Sequence, residues 1–362
     1  MSENLPLFPA SADADRGDAP QRFFFNGTGS EYFRIWIVNL LLSIVTLGIY
    51  SAWAKVRRTK YFYGSSTVAG SSFEYHGNPI AILKGRIVAF VLIVIYNIAM
   101  QTSGRLALFM IVAVMAIAPW LIWKSLQFKL YNSSYRSIRF GFRGSMIEAY
   151  KAYLLWPLLA LFTIFLAAPF AHQRMKQFQH NESRFGATHF SFHASVGSFY
   201  RAYLLVFFIW LAGVVAISIG LGGAIMAFIA AIRTPGNPEP GGFIGFFTFL
   251  FALYIWMFVL FPIFVTLLQN LIWNNTQLGA HRFTCEMKWP RMVFITLTNI
   301  LGVICTLGLF MPFAVIRMLK YRVESMTLLP AGSLEEFVAD TQAQASATGE
   351  GMADLLDFDL SL

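Results

Sequence analysis

Long apolar stretches alternate with short polar connectors along the chain. Seven stretches meet or approach the roughly 20 apolar residues that a membrane-crossing helix needs: residues 33–54, 86–101, 105–123, 152–171, 202–232, 243–273 and 292–316. Trp53, Trp123, Trp156 and Trp273 fall near their ends, where an amphipathic ring suits the headgroup layer. Between them lie pairs such as Phe140-Gly-Phe142 and Phe190-Ser-Phe192, which alternate like short strands. The pattern predicts an all-α integral membrane protein with about seven hydrophobic helices and short aromatic-x-aromatic connectors.

Self-comparison adds an internal repeat. At an offset of 260, Arg22, Phe23, Asn39, Thr46, Leu47, Gly48, Ala54, Arg57, Lys60 and Tyr61 fall on Arg282, Phe283, Asn299, Thr306, Leu307, Gly308, Ala314, Arg317, Lys320 and Tyr321. An offset of 117 places Phe25, Glu31, Thr46 and Arg57 on Phe142, Glu148, Thr163 and Arg174. Offsets of 50 and 93 relate the remaining segments and align Pro119, Pro169 and Pro262. Five degenerate units follow, starting near Phe23, Phe73, Phe140, Phe190 and Phe283. The second and fourth are long enough for a helical hairpin each; the others hold one apolar run.

Composition agrees with a membrane class and sharpens it. Of the 362 residues 57% are hydrophobic and only 12% charged, against roughly 25% charged in soluble domains. The net charge of +9 conceals acidic ends and a basic middle, because residues 330–362 hold acids and no Lys or Arg. Composition divides the chain into a disordered tail at 1–21, a transmembrane domain at 22–329 and an acidic disordered tail at 330–362. No cleavable signal is expected at the start.

Nearly all Lys and Arg outside the turns near Arg105 and Arg233 gather at the connectors, which the positive-inside rule assigns to the cytoplasm. Seven simple crossings cannot meet that requirement. Either the odd units hold broken, re-entrant helices turning at Thr46-Leu-Gly48 and Thr306-Leu-Gly308, or they are kinked straight helices with some basic residues outside.

Candidate chemistry is sparse. Asn39 and Asn299 occupy equivalent places inside apolar helices, and Asn97, Gln101, Gln269 and Asn270 are further candidates for an intramembrane polar lining or for interhelical hydrogen bonds. Arg57, Arg174 and Arg317 share one column, accompanied by Lys55, Arg58, Lys60 and Lys320, as topology anchors or binders of anionic lipid. Glu31 and Glu148 read as helix caps. No Walker A, His-Glu-x-x-His or Gly-x-Ser-x-Gly sequence occurs, and the histidines lack zinc spacing. No enzyme activity, cofactor or metal is expected, and the scattered basic groups argue against nucleic-acid binding.

Phe25-Asn-Gly-Thr-Gly-Ser-Glu-Tyr-Phe33, Asn39, Thr46-Leu-Gly-Ile-Tyr-Ser-Ala-Trp-Ala-Lys-Val-Arg57, Phe73-Glu-Tyr-His-Gly77 and Leu83-Lys-Gly85 resemble the YjgN family of bacterial inner-membrane proteins, from about residue 22 to about 328. The resemblance implies a multi-pass protein of the bacterial cytoplasmic membrane in a family without an established activity. The expected functions are handling or transport of a small solute or lipid, or a scaffold that binds lipids or proteins through basic connectors and an acidic tail. Anionic lipids of the bilayer are the expected partners.

Overall fold

A computed structural model describes residues 19–233 and 240–348. The order strand, helix, helix, strand occurs five times, and a last helix follows. The first module is β1 (Gln21–Phe25), α1 (Gly29–Val45), α2 (Ser51–Ser65) and β2 (Ser66–Val68). The second is β3 (Ser71–Tyr75), α3 (Pro79–Thr102), α4 (Gly104–Tyr131) and β4 (Ser133–Tyr135). The third runs through β5 (Ile138–Phe142), α5 (Met146–Tyr150), a π turn (Lys151–Leu155), α6 (Trp156–Phe162), α7 (Ala168–Asn181) and β6 (Ser183–Phe185). In the fourth, β7 (Thr188–Phe192) leads to α8 (Val196–Arg233), α9 (Pro240–Asn274) and β8 (Thr276–Leu278). The fifth contains β9 (His281–Cys285), α10 (Trp289–Cys305), α11 (Met311–Glu324) and β10 (Met326–Leu329), and α12 (Leu334–Thr348) ends the described chain.

The ten strands form one closed antiparallel barrel in which β10 pairs with β1. Closure removes the free edges that such short strands would otherwise expose. Within a module the long strand pairs with the short strand across the helices; between modules a tight hairpin makes the turn. Ala69 and Gly70, like Arg136 and Ser137, take positive φ in these turns, the geometry that follows the twist of two-residue hairpins.

This overturns the all-α expectation with about seven helices built from repeat units. Strands of three to five residues are too short to show a period, and their partners belong to distant parts of the chain. The aromatic-x-aromatic connectors are barrel staves. Among the described residues four helices are long and apolar enough to cross a membrane: Pro79–Thr102, Gly104–Tyr131, Val196–Arg233 and Gly242–Asn274. The apolar stretches 33–54, 152–171 and 292–316 each break into two helices instead.

Each break is built on a threonine. Thr46 Oγ1 donates to Leu42 O at 2.7 Å and accepts from Tyr50 N–H at 3.0 Å, while Gly48 N–H reaches Ser43 O at 2.7 Å. Thr306 repeats the set on Gly302 O and Phe310 N–H, and Thr163 on Leu159 O and Ala167 N–H. The turn residues are nonetheless apolar and open: Leu47 is 94%, Ile164 84% and Leu307 95% exposed. A turn that satisfies its own backbone and presents apolar side chains suits a hydrocarbon surrounding. Gly48 lies seven residues from Lys55 and Gly308 nine from Arg317, so the tips reach about 10–14 Å past those cations, against a hydrocarbon core of about 30 Å.

The helices form a second ring on the barrel. Each packs on the next, from α1 through α10 to α11, and α11 returns to α1. The helix leaving each module packs on the long strand of the next; α11 closes the circle on β1. Hydrogen bonds set the entry angles. Thr28 caps α1 through Glu31 N–H, Asn78 caps α3 and Ser145 caps α5. Tyr61 clamps the first loop by accepting from Thr28 N–H at 2.8 Å and donating to Glu31 Oε2 at 2.9 Å.

The expectation of disorder throughout 330–362 also gives way. Leu334–Thr348 is helical, because Leu334, Phe337, Val338 and Thr341 recur at one-face spacing; the short apolar segment at 353–362 lies outside the described residues.

Candidate functional site

Strand alternation turns positions one, three and five of each long strand inward. The third position is Phe23, Phe73, Phe140, Phe190 and Phe283, one per module. Their ring centroids are 6.4, 6.4, 6.5, 6.2 and 6.5 Å apart in sequence around the barrel, and Phe283 returns to Phe23. A planar pentagon of that side has a radius of about 5.5 Å, and the five rings form one level of the barrel's packed apolar core. Directly opposite them in register stand Val68, Tyr135, Phe185, Leu278 and Leu328. Ten apolar side chains therefore constrict the barrel at one level.

One mouth of the barrel carries α12. Leu334, Phe337 and Val338 join the barrel core, Phe337 lies 4.3 Å from the His281 ring, and Ala331 N–H donates to His281 Nδ1 at 3.1 Å. Thr341 is buried against Gly186. Burial holds the His281 imidazole below its ordinary range.

At the opposite mouth the fifth strand position wedges into the helices. Phe25 packs with Tyr32 and Ile316, Phe142 with Phe178, and Phe192 with Phe199. Two residues later the chain needs space for that ring. A Cβ on Gly27 would sit 2.7 Å from the Phe25 ring, and one on Gly77 2.4 Å from Tyr75. In the fifth module the sizes are exchanged: Cys285 replaces the ring and Met287 replaces the glycine, both buried. The aromatic contact absent at Cys285 is thus filled by methionine.

The polar residues singled out in the sequence do not assemble into one lining. Asn299 is buried; its Nδ2 donates to Ala314 O at 3.0 Å, and its Oδ1 accepts from Arg317 Nη1 at 2.8 Å. Arg317 also reaches Thr298 Oγ1 at 3.1 Å, so this member of the basic column ties α11 to α10. Asn39 is equally buried but its Oδ1 has no partner. Asn270 holds the backbone of Met287 through both amide atoms, and Gln269 accepts from Arg322 Nε at 2.7 Å. Asn97 and Gln101 are exposed along α3, and Asn97 Nδ2 donates to Ile93 O of the same helix at 2.8 Å.

The other basic positions divide. Arg57 donates to Tyr50 Oη at 3.1 Å, Arg174 to Gln177 Oε1 at 3.0 Å over the Phe170 ring, and Lys320 lies 3.7 Å from Glu324. Lys60 is exposed. Lys55 differs, because burial first, then the charges of Arg86, Arg58 and Lys129, push its ammonium below the usual lysine range. Lys176, which sequence reading missed, is lowered by burial and by Lys129. Lys129 shares its column with Arg322 alone among the related modules, and the column of Lys176 holds no other Lys or Arg, so the repeat marks them weakly.

The family described as "Bacterial protein of unknown function (DUF898)" matches residues 20–355. Inner membrane protein YjgN of Salmonella typhimurium is 31% identical over 128 residues, covering 35% of this chain and 32% of that protein. Inner membrane protein YjgN of Escherichia coli O157:H7 is 34% identical over 136 residues, covering 36% and 33%. The matched region thus spans about a third of these relatives. No solved structure matches the chain. The relatives' names and the four spanning-length helices agree: this is a multi-pass protein of the bacterial inner membrane.

Proposed function

We propose, from the premise that the chain belongs to the DUF898 family of bacterial proteins of unknown function, that it passes or handles a small solute or lipid along the axis shared by the barrel and the helix ring. The supporting observation is the five-phenylalanine constriction inside a closed barrel. Apolar constrictions of this kind gate by dewetting. No enzymatic step belongs to this reading. Polar residues at membrane depth, as in transporters, are a weaker support, since Asn299 is engaged by Arg317.

Flux in proteoliposomes tests it, with radiolabelled phosphate, glucose and potassium as solutes and a fluorescent phosphatidylglycerol reporting lipid transfer between leaflets. Phe140→Ala with Phe190→Ala widens the constriction and should raise flux of at least one probe above wild type. Identical, background-level flux for both proteins counts against the reading. The second reading is a scaffold that binds lipids or protein partners. Arg22, Arg139 and Arg282, exposed on the outer face of the long strands, favour it; under it the widened variant stays silent.

A further inference from the structure

The third module departs from the fifth at one column. In the fifth, Asn299 of α10 accepts from Arg317 of α11 at 2.8 Å; an offset of 143 puts Trp156 of α6 and Arg174 of α7 in those two places. An indole ring offers a guanidinium no oxygen, so the bond that ties α11 to α10 has no counterpart between α7 and α6. Trp156 instead meets Phe170 edge to face at 5.1 Å. Arg174 lies over the same Phe170 ring at 5.2 Å and donates to Gln177 Oε1 of its own helix at 3.0 Å.

A cavity of about 230 Å³ opens at this point. Glu148 of α5 and Lys151 of the π turn line one side, Arg174 and Glu182 of the α7 arm line the other, and Trp156 completes the wall. π turns inside α-helices recur at functional sites. The four charges do not neutralise one another. Among the described residues the ion pairs are Glu74 with His76 and Glu324 with Lys320, so neither carboxylate of the cavity is paired with either of its cations. Two carboxylates and two cations around one space complement a ligand that carries both signs.

The order of the groups gives that ligand a direction. Counted from the tip at Ile164, Phe170 and Trp156 lie about 9–12 Å away, Arg174 and Lys151 about 15–20 Å, and Glu148 and Glu182 about 24–27 Å. Phe162, Phe165 and Leu166 at the tip are apolar and open. From hydrocarbon toward the barrel the hairpin thus presents apolar, amphipathic aromatic, cationic and finally anionic groups. Acyl chain, glycerol, phosphate and ammonium follow one another in the same order in an amine-bearing phospholipid. The volume suits a headgroup, being below the roughly 300–1,000 Å³ of pockets that enclose drug-sized ligands. Carboxylates favour a primary ammonium, whose N–H groups they accept, whereas a trimethylammonium is held by aromatic faces. The aromatic residues here stand at the other end, beside Arg174.

We propose that this cavity binds the headgroup of a zwitterionic phospholipid with a primary amine, Arg174 and Lys151 holding the phosphate and Glu148 and Glu182 the ammonium. The site belongs to the helix ring rather than to the barrel, and it stands whether or not the axial pathway conducts.

Thermal unfolding of the full chain in detergent tests the assignment, titrated with short-chain phosphatidylethanolamine, phosphatidylcholine and phosphatidylglycerol. Wild type should gain most from phosphatidylethanolamine. Glu148→Gln with Glu182→Gln should weaken the apparent affinity for that lipid roughly tenfold or more and erase its advantage over the other two, while phosphatidylglycerol still binds. Arg174→Gln should weaken the response to all three, and Arg57→Gln, in the same column of the first module, to none. The carboxylate variant reads preference rather than stability, which separates a headgroup contact from a structural role and decides the matter if Arg174→Gln fails to fold. Equal or absent responses of wild type to the three lipids, or an intact preference in the carboxylate variant, overturns the site. A response to free phosphoethanolamine as large as that to the lipid assigns the cavity to a soluble amino phosphate and overturns the lipid.

Discussion

Arg317 Nη1 donates to Asn299 Oδ1 at 2.8 Å, joining the two arms of the last short hairpin through a charge-assisted hydrogen bond. Removing the amide leaves a partly buried guanidinium short of an acceptor, whereas the equivalent Asn39 has an Oδ1 with nothing to lose. Asn299→Leu should therefore destabilise by about 1–3 kcal/mol, and Asn39→Leu by clearly less. Urea unfolding in detergent compares them; an equal cost for both would show that the Arg317 contact contributes little.

The threonine turns carry the second expectation. Thr306 Oγ1 accepts from Phe310 N–H at 2.9 Å and donates to Gly302 O at 2.7 Å. Thr306→Val keeps the shape and removes both bonds, so the freed N–H faces an apolar surrounding at a cost of about 1–3 kcal/mol. Thr306→Ser should lie near wild type. Hydrogen exchange at Phe310 and Leu309 would locate the loss.

Close approach sets the third. Because a Cβ on Gly77 meets the Tyr75 hydroxyl at 2.4 Å and its ring at 2.5 Å, Gly77→Ala forces the side chain from its pocket and should cost about 1–3 kcal/mol. Gly77→Ala combined with Tyr75→Cys, which imitates the pairing of Cys285 with Met287, should recover part of it. A double-mutant cycle on unfolding free energies measures the coupling; strict additivity would refute the size exchange.

His180 gives a pH dependence. Burial first, then the charge of Lys176, lowers its pKa to about 4, and its Nδ1 lies 3.2 Å from Thr276 Oγ1 while its ring stacks on Phe192. The unfolded chain binds a proton near the ordinary histidine value of 6.5 that the folded chain refuses. Stability from the neutral form is thus full above that value and is lost as pH falls toward the folded pKa. The unfolding midpoint should drop between pH 7.5 and 5, and His180→Gln should flatten the drop; parallel profiles for both proteins would exclude this histidine as the cause.

The membrane class is legible in the sequence, and two of the three helix breaks stand there as one of two alternatives, because Thr46-Leu-Gly48 and Thr306-Leu-Gly308 carry a glycine at the left-handed position. The third break is not legible there. Phe165 takes φ 63° where the other turns place glycine, so the usual signal is missing and only Thr163 remains. Phe23, Phe73, Phe140, Phe190 and Phe283 were visible as recurring positions, but nothing local says that residues so far apart share one ring. Arg317 read as a surface anchor because its partner Asn299 sits on another helix, eighteen residues away.

The pairing of β1 with β10 has a consequence for how the protein is made. Gln21 and Arg22 find their partners only at Leu328 and Thr327, so β1 keeps an open edge until the chain has been synthesised through β10. Such distant pairing is slow, and an open edge invites association with other chains. A nascent chain stalled before Met326 would hold its helices in the bilayer with the barrel unsealed, vulnerable to proteases and to pairing with its neighbours. Completion of the ring is therefore the step that converts a string of inserted hairpins into a protein.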